Sequence, residues 1–433
     1  MPPAAWSRFL PLWLAQTLSM TCGGLTNFAL GVWVYTRTGS ATQYALLSVV
    51  SVLPGLLALP LLGVWIDRLG ARRGLLLADA AGLVFGALLV AAIALGAASP
   101  AVLLPILTIR NLFTAAHWPA YSAATTLLVG RERVARAAAL LQFGYVGQQV
   151  LAPAIAGALL GALKGGVAGI VAIDATSYAL ALFTTLAASI PRDAAASAAP
   201  VRQHLAESLA IIRRTGLLRL SLYLVVTYLF GGLVVALATP LVLGFTTPAT
   251  AGAVTSTMGA GMLVGSVMAA RFIRVEGGFS RLLRYDSLVM ISMVGIAVAR
   301  TPAALAALGF VFLFGVAGLF AEEQAMWQVR VAPEAQVRVF ALRRLITWGS
   351  LPLSYALAGP LADRVFDPLV RAPGFRGSWL EAIVGAGPAR GIALLLVCGG
   401  LLKAITILVA RRDPGLQRLD GAAATPALVD AAG

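Results

Sequence analysis

Charge is what this 433-residue chain has least of, since Asp, Glu, Lys and Arg together make up only 11% of it. Cysteine and histidine are scarcer still, with two of each. Cys22 and Cys398 both fall inside long apolar runs, so a disulfide framework is not indicated. Neither lies near His117 or His204 in the sequence, and no metal site or cofactor is expected. No Gly-x-x-x-x-Gly-Lys-Ser/Thr loop is present to cradle a nucleotide phosphate, and no nucleophile elbow singles out a serine. The sequence therefore does not read as an ATPase or another enzyme.

What is abundant is hydrocarbon. Hydrophobic residues make up 60% of the chain, and the mean hydropathy is +0.90. That is more apolar surface than a soluble protein of this length can bury, so the solvent for most of it is lipid. Twelve apolar runs suit helices crossing a hydrocarbon core of about 30 Å. They cover approximately 10–35, 43–66, 74–96, 101–126, 137–161, 167–190, 217–243, 251–273, 283–299, 303–327, 341–362 and 391–410. The runs are unbroken instead of alternating, which favours helices over a barrel. The first run is long and lacks a small-residue cleavage site, so it reads as a retained helix and not a signal peptide.

The few charges orient these runs. With the N-terminus in the cytoplasm and loops alternating sides, 23 of the 32 Lys and Arg fall on the cytoplasmic side and seven outside. Arg110 and Lys403 remain within the membrane. This predicts a multi-pass membrane protein with both termini cytoplasmic. The net charge of +15 is scattered over many loops, where lipid phosphates account for it and nucleic acid is not required.

The chain also repeats itself. The stretch starting at Glu132 matches the one starting at Glu334 at 10 of 29 positions without gaps, including Arg136 with Arg338, Gly147 with Gly349 and Gly157 with Gly359. A more divergent copy pairs residues 63–79 with 270–286, ending on Asp79 and Asp286. The expected organisation is two six-helix bundles, residues 1–190 and 217–412. Between them, residues 191–216 form a cytoplasmic linker whose second part is a basic amphipathic stretch, and residues 413–433 form a tail. Two parallel halves joined in this way are the build of a rocking transporter.

Between the second and third runs the chain reads GVWIDRLGARRG. It resembles the loop signature of the major facilitator superfamily, Gly-x-x-x-Asp-Arg-x-Gly-Arg-Arg, through Gly63, Asp67, Arg68, Gly70 and Arg72. Ala71 stands where a basic residue is usual, with Arg73 two positions on. A short basic loop of this kind can meet helix ends and carboxylates of the opposite half in one conformation only, which would make it a gate latch; as a plain positive-inside loop it would only set topology. VLAPAIAG in the fifth run resembles, through Pro153 and Gly157, an element associated with antiporters in that superfamily, although Ala152 and Ala156 replace two of its glycines. Helix packing alone would also account for these residues. The stretches ALGVWVYTRTGSA, IDATSYALAL and GPARGIALLL resemble the bacterial branch that contains macrolide efflux proteins and the enterobactin exporter. The resemblance implies an all-α fold of twelve transmembrane helices, and proton-driven export of a drug, natural product or siderophore by a monomer in the lipid bilayer.

Ionisable residues at depth in a membrane are functional candidates by default. Arg110, near the middle of the fourth run, reads as a clamp for substrate or as the structural partner of Asp174. Glu322 and Glu323 lie in the inner half of the tenth run, and one of them is placed to carry a proton; the alternative is that both meet arginines such as Arg330 at the cytoplasmic mouth. Asp79 and Asp174 are the next coupling candidates, though interhelical pairing suits them, as it suits Lys403. Asn27, Gln148, Gln149, Trp348 and Tyr355 are candidates for lining a small-molecule site, or interhelical filler. The leading expectation is a proton-coupled exporter. Uptake of a nutrient or lysolipid, or a non-transporting membrane sensor with the same fold, are the alternatives.

Overall fold

The computed structural model describes residues 4–129, 133–163, 166–191, 201–272 and 278–420, the side chains of residues 4–5, 59–68, 135, 146, 201–205, 272, 333–334 and 337–338 being outside the description. All regular structure among these residues is helical, which satisfies the backbone N–H and C=O groups of each lipid-crossing segment within itself. The first half contains α1 (Ala4–Thr38), α2 (Ala41–Leu69), α3 (Ala71–Ala94), α4 (Pro100–Thr114), α5 (His117–Val129), α6 (Val134–Ala162) and α7 (Gly166–Ala187). After α8 (Val201–Arg214) come α9 (Leu217–Leu243), α10 (Pro248–Phe272), α11 (Gly278–Val298), α12 (Pro302–Arg330), α13 (Pro333–Trp348) and α14 (Ser350–Pro360). The chain closes with α15 (Asp367–Arg371), α16 (Trp379–Val384), α17 (Arg390–Arg412) and α18 (Pro414–Gln417). With α4 and α5 taken as one span and α13 and α14 as another, these are the twelve membrane-crossing helices of the predicted fold. Among the described residues, eight single helices are long and apolar enough to cross a membrane by length and composition.

Two predicted spans are broken. The runs 101–126 and 341–362 read as continuous, yet α4 stops at Thr114 before α5 starts at His117, and α13 stops at Trp348 before α14 starts at Ser350. Each restarting helix carries a proline in its first turn, Pro119 and Pro352. Proline has no N–H to continue a ladder and crowds the preceding turn, so the first turn of a new helix is where it fits. Elsewhere breaks are shorter than expected. Only Gly70 separates α2 from α3, so the predicted loop at 63–74 is mostly helix, and its φ of 80° is a conformation glycine adopts without strain. The segment 363–390, which reads as a long external loop, folds into a π-helical turn at Leu361–Phe366, a 3-10 turn at Pro373–Phe375 and the short helices α15 and α16. Arg300 donates to the Ala382 carbonyl at 2.7 Å, and Arg390 to that of Val384 at 3.0 Å, tying the segment down.

The chain divides into two compact units. The described part of Met1–Ala198 with Thr246–Ser256 forms the first; that of Ala199–Phe245 with Thr257–Gly433 forms the second. In the first, Phe9, Leu12, Leu75, Ala120, Tyr121 and Ala137 form one buried apolar cluster. Gly82 lets α3 close onto α7, for a Cβ there would lie inside the ring of Tyr178. In the second, Leu217, Leu220, Phe279, Trp327 and Val339 are buried together with Ile212 from α8. The amphipathic stretch of the linker is therefore a helix whose apolar face is built into the core of the second unit.

Candidate functional site

The second unit contains a cavity of about 620 Å³ between α10, α12 and α13, with Met262, Phe320, Glu323, Gln324, Arg343 and Trp348 in its wall. Glu323 is the carboxylate in that wall, 3% exposed. Tyr228 donates a hydrogen bond to it from α9, and Arg343 Nε lies 3.4 Å from its Oε1. Arg343 also donates from Nη2 to Gln324 at 2.8 Å, and its guanidinium lies over the rings of Phe340 and Trp327 at 5.0 and 5.3 Å. Its Nη1 is enclosed with no hydrogen-bond partner among the described residues. Phe320 and Trp348 stack with centroids 6.2 Å apart and planes 27° from parallel. The wall thus combines a flat aromatic pair with a carboxylate and the arginine that pairs with it.

Glu322 points elsewhere. Successive residues on a helix diverge by about 100°, and Glu322 accepts from Arg281 Nε at 2.7 Å and Nη2 at 3.2 Å, a bidentate clasp from α11. Arg330, the partner expected from its place in the sequence, instead donates to the carbonyls of Met326 and Leu419. The two adjacent carboxylates therefore differ in surroundings: one is locked between helices and the other faces a cavity.

In the first unit, Arg110 and Asp174 form a 2.5 Å ion pair between α4 and α7, with side chains 5% and 0% exposed. The guanidinium lies 5.4 Å over the ring of Tyr178. Both side chains of the pair are buried, so it ties α4 to α7. Asp79 is met by neutral groups: Gln16 Nε2 donates to its Oδ2 at 2.9 Å and Thr185 Oγ1 at 3.0 Å. His117 Nε2 lies 2.6 Å from Gln16 Oε1 and 3.7 Å from Asp79 Oδ1, linking the start of α5 to the same network.

The remaining candidates are spread out. Asn27 and Gln149 are exposed, Gln148 is half-buried and Tyr355 is buried. Trp348 is the one of these that lines the second unit's cavity. Pro153 and Gly157 abut Gly252 and the Pro248 carbonyl of the same unit, where a Cβ on Gly157 would come within 2.7 Å of that oxygen. In the signature stretch, Arg72 donates to the Leu186 carbonyl at 2.9 Å and Arg73 is exposed. The side chains of Asp67 and Arg68, and the surroundings of Gly63, lie outside the described residues.

Sequence reasoning missed Arg343 and Tyr228. Arg343 falls inside the predicted run 341–362, and an arginine within an apolar run was the available signal. Tyr228 carried no such signal, since a tyrosine in a span is ordinary helix filler.

Long apolar helices in two units, with a carboxylate, an arginine and aromatic rings lining a cavity in the second, are the build of a multi-pass membrane protein. The chain belongs to the Major Facilitator Superfamily, which its residues 12–355 match. It is 24% identical over 370 residues to macrolide efflux protein A of Streptococcus pyogenes, covering 83% of this chain and 90% of that one. Among solved structures it resembles a bacterial homolog of the human lysosomal transporter Spinster in an inward-facing, unoccupied conformation, with TM-score 0.70, 16% identity, and 97% and 99% of the two chains covered. The nucleoside transporter NupG gives TM-score 0.70 at 12% identity over 92% and 98% of the chains. A D-xylose-proton symporter gives 0.64 at 15% over 92% and 97%. At such identities the structural likeness speaks to fold alone.

Proposed function

We propose that this protein is a monomeric proton-coupled exporter of amphipathic small molecules, a drug, natural product or siderophore, working by alternating access in the bacterial cytoplasmic membrane with both termini in the cytoplasm. The observation that carries the reading is Glu323 in the cavity wall, held between Tyr228 and Arg343 beside the stacked Phe320 and Trp348. The likeness to a macrolide efflux protein supports the direction.

In this reading the aromatic pair takes the flat or apolar part of the substrate, and Arg343, once freed from Glu323, donates from Nε to a substrate oxygen. Glu323 couples the proton. As a carboxylate it holds Arg343; once protonated it releases the guanidinium, so proton and substrate occupancy become linked through one shared partner. Asn27, Gln148, Gln149 and Tyr355 serve as further lining, and Arg110 acts through Asp174, holding α4 to α7. Asp79 and Asp174 stand behind Glu323 as coupling candidates. Residues 63–73 act as the gate latch, and Pro153 with Gly157 as the antiporter-type packing element.

The test is substrate flux into proteoliposomes with and without an imposed pH gradient, using a panel of amphipathic compounds. Glu323→Gln is expected to abolish gradient-driven accumulation while leaving exchange down the substrate's own gradient. Glu322→Gln, which loosens the clasp with Arg281, is expected to lower stability and retain gradient coupling. Full gradient-driven accumulation by Glu323→Gln at matched protein levels overturns the assignment.

A further inference from the structure

The second unit has another concavity, of about 760 Å³, on the flank formed by α11, α17 and the turn of α18. It is graded in polarity along the helices. At the end where α11 begins and α17 finishes, its wall carries Arg284, Arg411, Ser280 and Asp420. Deeper in, it carries Met290 on α11 and Ala404 on α17, with Leu283, Ile407 and Leu408 between. Met290 lies six residues beyond Arg284, a rise of about 9 Å, and Ala404 seven residues before Arg411, a rise of about 10 Å. The groove is thus charged at one mouth and hydrocarbon for roughly the depth of an upper acyl chain.

The charge at that mouth is net positive. Arg284 and Arg411 are both exposed side chains. The one carboxylate in the wall, Asp420, is engaged by Ser280, accepting from its backbone N–H at 2.8 Å and from its hydroxyl. Neighbouring residues on α17 continue the apolar surface outward: Leu401, Ile405 and Val409 are all more than half exposed, as a lipid-facing stripe should be. Two guanidinium groups above an apolar slot, opening beside a lipid-facing stripe, are complementary to a molecule with an anionic head and an acyl tail.

We propose that this groove is a binding site for an anionic phospholipid of the surrounding bilayer, its phosphate held by Arg284 and Arg411 and one acyl chain laid along Leu283, Met290 and Leu408. The excess of basic residues on the side where α11 begins assigns the lipid to the cytoplasmic leaflet. Nothing in this site depends on which substrate the protein transports.

The experiment is native mass spectrometry of the full-length protein, titrated in neutral detergent with phosphatidylglycerol, phosphatidylcholine or inorganic phosphate. The wild type is expected to retain phosphatidylglycerol in preference to phosphatidylcholine, with phosphate alone leaving that retention unchanged. Removing one arginine near a membrane surface costs about fivefold in affinity, so Arg284→Gln/Arg411→Gln is expected to lose about twenty-fivefold. Arg412→Gln removes an exposed charge on the same helix end that does not line the groove, and should leave affinity within about twofold. Unchanged melting temperatures in lipid-free detergent establish that the variants are folded. Phosphatidylglycerol retained equally by the double variant overturns the proposal. So does an equal loss from Arg412→Gln, which would mark diffuse surface attraction, or displacement by inorganic phosphate, which would mark an ion site.

Discussion

Asp79 and Asp286 occupy matching places in the sequence repeat, and both are fully buried, yet their surroundings differ in kind. In the second unit Lys403 Nζ lies 2.7 Å from Asp286 Oδ1, while Tyr223 and Thr227 donate to Oδ2. Among the described residues of the first unit, Asp79 accepts only from neutral donors, Gln16 and Thr185, with His117 at 3.7 Å. The same position is thus closed by a full countercharge in one copy and by dipoles in the other. The duplicated fold holds either arrangement, an ion pair on one carboxylate and two neutral donors on a single oxygen of the other, with Asp79 Oδ1 enclosed without a hydrogen-bond partner among the described residues. The consequences of removing the partner should differ, however.

The largest effect is expected at Lys403. Truncating one member of a buried pair leaves an uncompensated charge, so Lys403→Met should cost about 3–5 kcal/mol. Adding Asp286→Asn should recover most of it, and thermal unfolding of purified protein in detergent measures both. Arg110→Met breaks the corresponding kind of pair in the first unit and should cost about 3 kcal/mol. Its guanidinium also stacks on Tyr178, so Arg110→Lys should recover only part. Asp79→Asn, where every partner is neutral, should cost only about 1–2 kcal/mol, the scale of a rearranged hydrogen bond. A loss as large as that at Lys403 would show that the first unit's network depends on charge after all. The smallest stability effect is expected for Arg72→Ala, whose one described hydrogen bond, to Leu186, is exposed. About 0.5 kcal/mol or less should be lost, while flux in proteoliposomes should fall clearly if the signature stretch is a latch.

Hydropathy made the twelve spans legible, because a lipid-crossing helix writes its length into an unbroken apolar run. The Asp79 and Asp286 equivalence was legible too, from the repeat alone. Partners were not. Glu322 meets Arg281 from a neighbouring helix and not Arg330 from its own, since two residues eight apart on one helix stand about 12 Å apart along the axis. Periodicity says which face a residue occupies but not which helix lies across from it. The broken spans were missed because Pro119 and Pro352 sit inside stretches whose composition is otherwise continuous; a proline does not say whether it bends a helix or begins one.

The break at Gly349 also bears on how the chain enters the membrane. The α13 half of that span carries Arg343 and Arg344, and α14 has only 11 residues, about half a bilayer core by length. Neither piece is apolar and long enough to partition into lipid unaided, given the cost of placing an arginine there. Arg343, however, finds Glu323 and Gln324 on α12, the span synthesised just before. These contacts lead to the expectation that the eleventh span enters as the second arm of a hairpin with the tenth, with Arg343 contributing to insertion. A nascent-chain pulling assay would register the two arms as one late event, and replacing Glu323 and Gln324 together would delay insertion of a helix that neither residue belongs to.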